Sequence, residues 1–129
     1  MSSERFEFQN TNVDLERQIN DIKRYIETGD SSYKDGLMVI AVTRLAIKKA
    51  HTKRIDVKKF EEEVDLLESA AKKRYIGDKI GELEEYKKSK NVMSKNDGIK
   101  LVKLINNKLK KLEGKGIDTS ELRERLYNI

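Results

Sequence analysis

The segment SYKDGLMVIAVTRLAIKKAH, residues 32–51, decides how the chain is read. From Leu37 to Ile47 only Thr43 and Arg44 interrupt the apolar residues, so a helix here has no continuous polar face. Such a helix is expected in the middle of an assembly, buried nearly all round. Ser32 and Asp35 form a capping-box-like pair at its start. The apolar run is about half of the ~20 residues that a membrane span requires.

A second segment, SKNDGIKLVKLINNKLKKLE at 94–113, follows the same plan 62 positions later. Laid without a gap over 94–126, residues 32–64 give nine identities in 33 positions. They include Ser32/Ser94, Asp35/Asp97, Gly36/Gly98, Lys53/Lys115, Ile55/Ile117 and Asp56/Asp118. Upstream, with one residue of slippage, Ile19, Ile22 and Tyr25 meet Ile80, Leu83 and Tyr86. S-x-x-D-G and K-x-I-D keep their separation in both copies, and each has a capping role. Lysines match cheaply in so basic a chain, so the weight rests on those two motifs.

Around these segments the pattern is helical throughout. A first helix is expected from Val13 to Thr28, capped by Thr11 or Asn12, with Leu15, Ile19, Ile22 and Ile26 on one stripe and Gly29 as its stop. Asp56 caps a third helix with the stripe Val57, Phe60, Val64, Leu67 and Ala71, ended by Gly77. A short fourth helix carries Ile80, Leu83 and Tyr86. The fifth, from Ser94 to about Glu113, presents Ile99, Val102, Ile105, Leu109 and Leu112, and Asp118 with Glu121 opens a sixth. No stretch alternates with period two long enough for a strand. The expected architecture is all-α: one bundle of about six helices, formed by two diverged tandem three-helix units related by pseudo-symmetry. Residues 1–11 are expected as a flexible arm and 12–129 as the domain, with units at about 13–76 and 78–129.

The chain's 129 residues contain no cysteine and one histidine, His51. That removes thiolate metal sites, disulfides and multi-imidazole centres, so no metal or cofactor is expected. No Ser/His/Asp set or paired carboxylates stand out, and the protein is read as non-enzymatic. Glu61, Glu62, Glu63, Asp65 and Glu68 balance nearby lysines, because one helix cannot wrap a cation with adjacent carboxylates. Met1–Thr11 lacks the apolar core of a secretory signal, which points to a cytoplasmic protein.

Charge is where the two copies diverge. The net charge is +5, yet residues 1–30 carry −3, 31–60 carry +6, 61–90 carry −2 and 91–129 carry +4. Met38, Ala41, Leu45 and Ala46 of the first copy become Lys100, Lys103, Asn107 and Lys108 in the second. Lys100, Lys103, Asn107 and Lys110 share one helix face, with Lys111 beside them and Asn106 adding an amide. A second basic zone holds Lys49, Lys53, Arg54 and Lys58, with Arg44, Lys48 and Lys59 nearby. Lysines in a last helical turn also complement the helix dipole, which is the plain explanation of part of this zone.

The leading expectation is contact with nucleic acid, DNA or RNA, mainly through the phosphate backbone. The alternative is a protein–protein module, a regulator, inhibitor or assembly subunit whose basic face meets an acidic partner surface. In that case Phe6 and Phe8 would anchor the partner or a sister subunit, which leaves homo-oligomerisation open.

Overall fold

The computed structural model describes residues 2–89 and 93–129, with side chains from Thr11 onward. Five helices account for it: α1 (Ser2–Thr28), α2 (Gly36–Thr52), α3 (Lys58–Lys88), α4 (Lys95–Gly114) and α5 (Ser120–Tyr127). No strand occurs among the described residues. The chain divides into two compact units, Met1–Ala71 and Lys72–Ile129, and α3 contributes to both.

Three expectations about helix boundaries change. The third and fourth helices are a single helix, so five replace six: α3 runs through Gly77 and Gly81. A glycine inside a helix costs only about 1 kcal/mol, which the stripe Val64, Ala71, Ile76, Ile80 and Leu83, all buried, outweighs. Helix α1 begins at Ser2, well before Val13, because nothing between residues 2 and 12 is a proline or glycine. Helix α2 begins at Gly36, with Asp35 rather than Ser32 as its cap: the Leu37 N–H donates to Asp35 Oδ1 at 2.9 Å. The Ser32 N–H is occupied elsewhere, donating to both carboxylate oxygens of Asp21 on α1 at 3.2 and 3.3 Å.

In the first unit, Leu15, Ile19, Ile22 and Tyr25 of α1 are buried, as are Val39, Ile40, Ile47 and Ala50 of α2. Val57, just before α3, and Val64 and Ala71 of α3 are buried with them. Thr43 is fully enclosed, yet its hydroxyl donates to the Val39 carbonyl at 2.7 Å and leaves no orphaned polar group. The end of α2 is closed by the Ile55 N–H donating to the Ala50 carbonyl (3.0 Å) and the Arg54 N–H to that of His51 (2.9 Å). Arg54 takes φ 62°, the left-handed conformation that glycine adopts without strain.

In the second unit, Ile76, Ile80 and Leu83 of α3 pack with Leu101, Ile105, Leu109 and Leu112 of α4, and Ile117, Leu122, Leu126 and Ile129 pack against that cluster. Ser94 caps α4, accepting from the Asp97 N–H at 3.2 Å, as its sequence motif predicts. The end of α4 is closed by the Ile117 N–H donating to the Leu112 carbonyl (3.1 Å) and the Gly116 N–H to that of Glu113 (3.0 Å), with Gly116 at φ 78°. Asp118 then accepts from the Ser120 N–H at 3.0 Å, as Asp56 does from that of Lys58 at 3.2 Å.

Candidate functional site

Helix α2 corrects the central expectation about burial. Its inner side, Val39, Ile40, Thr43, Ile47 and Ala50, is enclosed, but Met38 and Leu45 are 51% and 53% exposed and Ala41 is exposed between them. Spaced i, i+3, i+7, these three form an apolar face open to water. Lys34, Lys48 and Lys49, all exposed, bracket it in sequence. The sequence could not separate a wholly buried helix from one apolar on both sides, because both lack a polar stripe.

Helix α4 presents the opposite chemistry at the positions 62 further along the sequence. Lys100, Lys103, Asn107, Lys110 and Lys111 are all exposed, as the helical spacing predicts. Lys103 has no acidic residue three or four positions away, and Lys100 has only Asp97. Two neighbours are already committed. Lys108 lies 5.0 Å from the centre of the Tyr75 ring, which Lys79 approaches at 5.3 Å. Asn106 accepts from Arg123 through Oδ1 at 2.8 Å, so this amide serves the fold.

That Arg123 is the hub of the α4–α5 junction. Its Nε and Nη2 donate to the two carboxylate oxygens of Glu113 at 3.0 and 2.8 Å, and the Thr119 hydroxyl donates to the same group at 2.7 Å. The Arg123 hydrogen bonds, followed by that from Thr119, hold the Glu113 carboxyl down at about 2. Thr119 is buried here, while Arg125 pairs with Glu84 of α3.

Lys49, Lys53, Arg54 and Lys58 of the first unit are exposed and border two concavities. Arg54 and Lys58 line a concavity of about 620 Å³ with His51, but Asp56 and Glu61 share it. Lys49 and Lys53 line another, of about 290 Å³, with Asp14 and Arg17 of α1. Arg44 is neutralised, donating to Asp65 and Glu68 of α3 at 2.8 Å each, and its guanidinium is held above its usual range chiefly by the Asp65 bond. Phe6 and Phe8 lie outside the described side chains, although α1 covers their positions.

The second unit also holds an apolar groove of about 550 Å³, walled by Tyr86, Gly98, Ile99, Val102, Leu126 and Ile129, with Lys87 and Lys95 among its lining residues. Ile99 and Val102 were expected on the core stripe of this helix, yet they are 47% and 37% exposed. Leu101 takes the buried place instead.

No protein-family model matches this chain. No curated protein matches it in sequence, and no solved structure matches its fold. Among the described residues no group of three or more His, Cys, Asp or Glu is placed to hold a metal, and no helix is long and apolar enough to cross a membrane.

Proposed function

We propose that this chain is a non-enzymatic docking module made of two diverged copies of one three-helix unit, and that it engages a partner protein through α2. Several paired details support the two-copy reading at an offset of 62. Ala50/Leu112 and Ile55/Ile117 close their helices with the same backbone bond. Arg54/Gly116 both take the left-handed conformation, and Asp56/Asp118 both accept from the N–H two residues on, at the first residue of the next helix. Tyr25 lies against Gly36, and Tyr86 against Gly98.

The observation that carries the docking function is the exposed face Met38, Ala41 and Leu45. An exposed lysine costs a soluble protein nothing, whereas aligned exposed apolar side chains lose solvation free energy unless something covers them. The partner that fits has an apolar centre and an acidic rim, facing Lys34, Lys48 and Lys49. A photo-crosslinking side chain at position 41, used in the native host cell, should give a discrete protein adduct that Leu45→Glu abolishes. Adducts that are absent, or indifferent to Leu45→Glu, would overturn the reading.

Nucleic acid is the second reading, favoured by the exposed lysines on the outer face of α4, of which Lys103 has no acidic neighbour along the helix. Lys100, Lys103 and Lys110 would follow phosphates, and Asn107 would supply an amide beside them. Affinity for duplex DNA or RNA should then fall steeply with salt, through counterion release. Changing the three lysines to Glu should abolish binding and leave the helix content intact. Binding that survives the triple change, or is indifferent to salt, removes this reading.

A further inference from the structure

We infer that the partner met by α2 is a second copy of this chain, in a twofold dimer that sets the α2 face of each copy on the α3 face of the other. This rests on the docking reading above and names its occupant. Every residue it uses belongs to the first unit.

The Arg44 clasp fixes the geometry. Arg44 donates to Asp65 and Glu68 at 2.8 Å each. It lies about two turns before the end of α2, and Asp65 lies about two turns into α3, with only residues 53–57 between the helices. The two helices are therefore an antiparallel pair.

Burial steps the same way through both sides of this contact. Thr43 is fully buried and Leu45 is 53% exposed; Val64 is fully buried and Leu66 is 80% exposed. Each residue turns about 100° beyond the one before it. Because the helices run in opposite directions, these turns have opposite senses when viewed along the pair. Leu45 and Leu66 thus emerge on one side, away from the core. Met38 and Ala41 share that side with Leu45, and exposed Glu62 shares it with Leu66 one turn on.

Charge selects the mate. Residues 36–52 contain no acid and hold Arg44, Lys48 and Lys49, whereas residues 61–68 hold five acids and no base. Stacking α2 on α2 would oppose like charges, and setting α2 on α3 opposes unlike ones. A twofold axis beside the Arg44–Asp65 pair does this twice at once, bringing Leu45 of each copy to Leu66 of the other. Such a contact is isologous and closes at two copies. The apolar centre and acidic rim that the α2 face requires are carried by the chain itself.

Light scattering and disulfide trapping test this. With rising concentration the mass should climb from the 15.0 kDa of one copy to twice that value and no further. Leu45→Glu and Leu66→Glu should each remain at one copy with unchanged helical circular dichroism, since both side chains are exposed. The chain has no cysteine, so introduced thiols report only the designed contact. Leu45→Cys mixed with Leu66→Cys and mildly oxidised should give a linked dimer, and neither variant should do so alone. Linkage of Leu45→Cys to itself would overturn the inference in favour of α2 on α2, as would dimerisation that persists in Leu66→Glu. A wild-type chain monomeric at every concentration would overturn it as well. The docking reading then stands or falls separately, on whether the crosslinker at position 41 yields a Leu45-dependent adduct with a protein of different mass.

Discussion

Tyr25 lies so close to Gly36 that a methyl group on the glycine would sit 2.0 Å from Cε1 of the ring. The glycine opens α2 and the tyrosine ends the buried stripe of α1, so their contact sets how near the two helices approach. Gly36→Ala should destabilise the first unit by about 1–3 kcal/mol or more, since an enclosed ring must be displaced. At the matching pair, a methyl on Gly98 would meet Tyr86 at 3.2 Å, and Tyr86 is only half-buried. Gly98→Ala should therefore lie within about 1 kcal/mol of wild type, its helix-propensity gain offsetting a slight shift of the ring. Urea unfolding of both variants, followed by circular dichroism, separates the two cases.

Continuity of α3 predicts the effect of filling its glycines. A methyl group at Gly81 would meet nothing within 4 Å, and at Gly77 it would meet only Leu122 and the end of Arg125 at ordinary distances. Gly81→Ala should raise stability by about 0.5–1 kcal/mol, and Gly77→Ala by a similar or smaller amount. Two helices meeting at Gly77 would give the opposite sign there, so thermal melting of the pair tests the single helix directly.

Arg54 holds a conformation that suits glycine, and Gly116 shows the relaxed solution at the matching turn. Arg54→Gly should stabilise the first unit by a few tenths to about 1 kcal/mol. Gly116→Ala, placed at φ 78°, should cost about 1 kcal/mol although open space surrounds it. Denaturant midpoints for the two single variants should move in opposite directions.

Acid should loosen the α4–α5 junction. Glu113 titrates near 2 in the folded chain against an ordinary 4.5, so its contribution is complete above the unfolded value and is lost as pH falls through the folded one. Stability measured from pH 4.5 down to about 2 should fall less steeply in Glu113→Gln than in wild type. Arg123→Ala should weaken the same pH dependence, leaving the part that the Thr119 hydrogen bond supplies. Carbon-detected NMR titration of the Glu113 carboxyl gives the midpoint directly.

The sequence made the all-helical class legible because Leu15, Ile19, Ile22, Leu101, Ile105 and Leu109 recur at helical spacing with no competing period. It also made the K-x-I-D turns legible, since capping is a local act between neighbours in the chain. Gly77 misled for the opposite reason: whether a glycine ends a helix depends on the packing on both sides of it, which no local signal carries. Met38 and Leu45 misled similarly, as apolarity says that a side chain seeks cover and not whether its own fold supplies it. The lysines of α4 were placed correctly by spacing alone. The groove was invisible, because Tyr86, Gly98, Val102 and Leu126, distant in sequence, wall it together, and no local spacing signals that.

Helix α3 is the last helix of one unit and the first of the next. Restarting a helix is costly, whereas extending one adds a hydrogen bond for each residue fixed. The first unit therefore cannot melt its final helix without leaving the second to nucleate its own. Stability gained on one side of Ala71 is passed to the other through the continuous helix. A partner that tightened α2 would be felt as slower amide exchange beyond Ala71, across a boundary where the chain is unbroken helix.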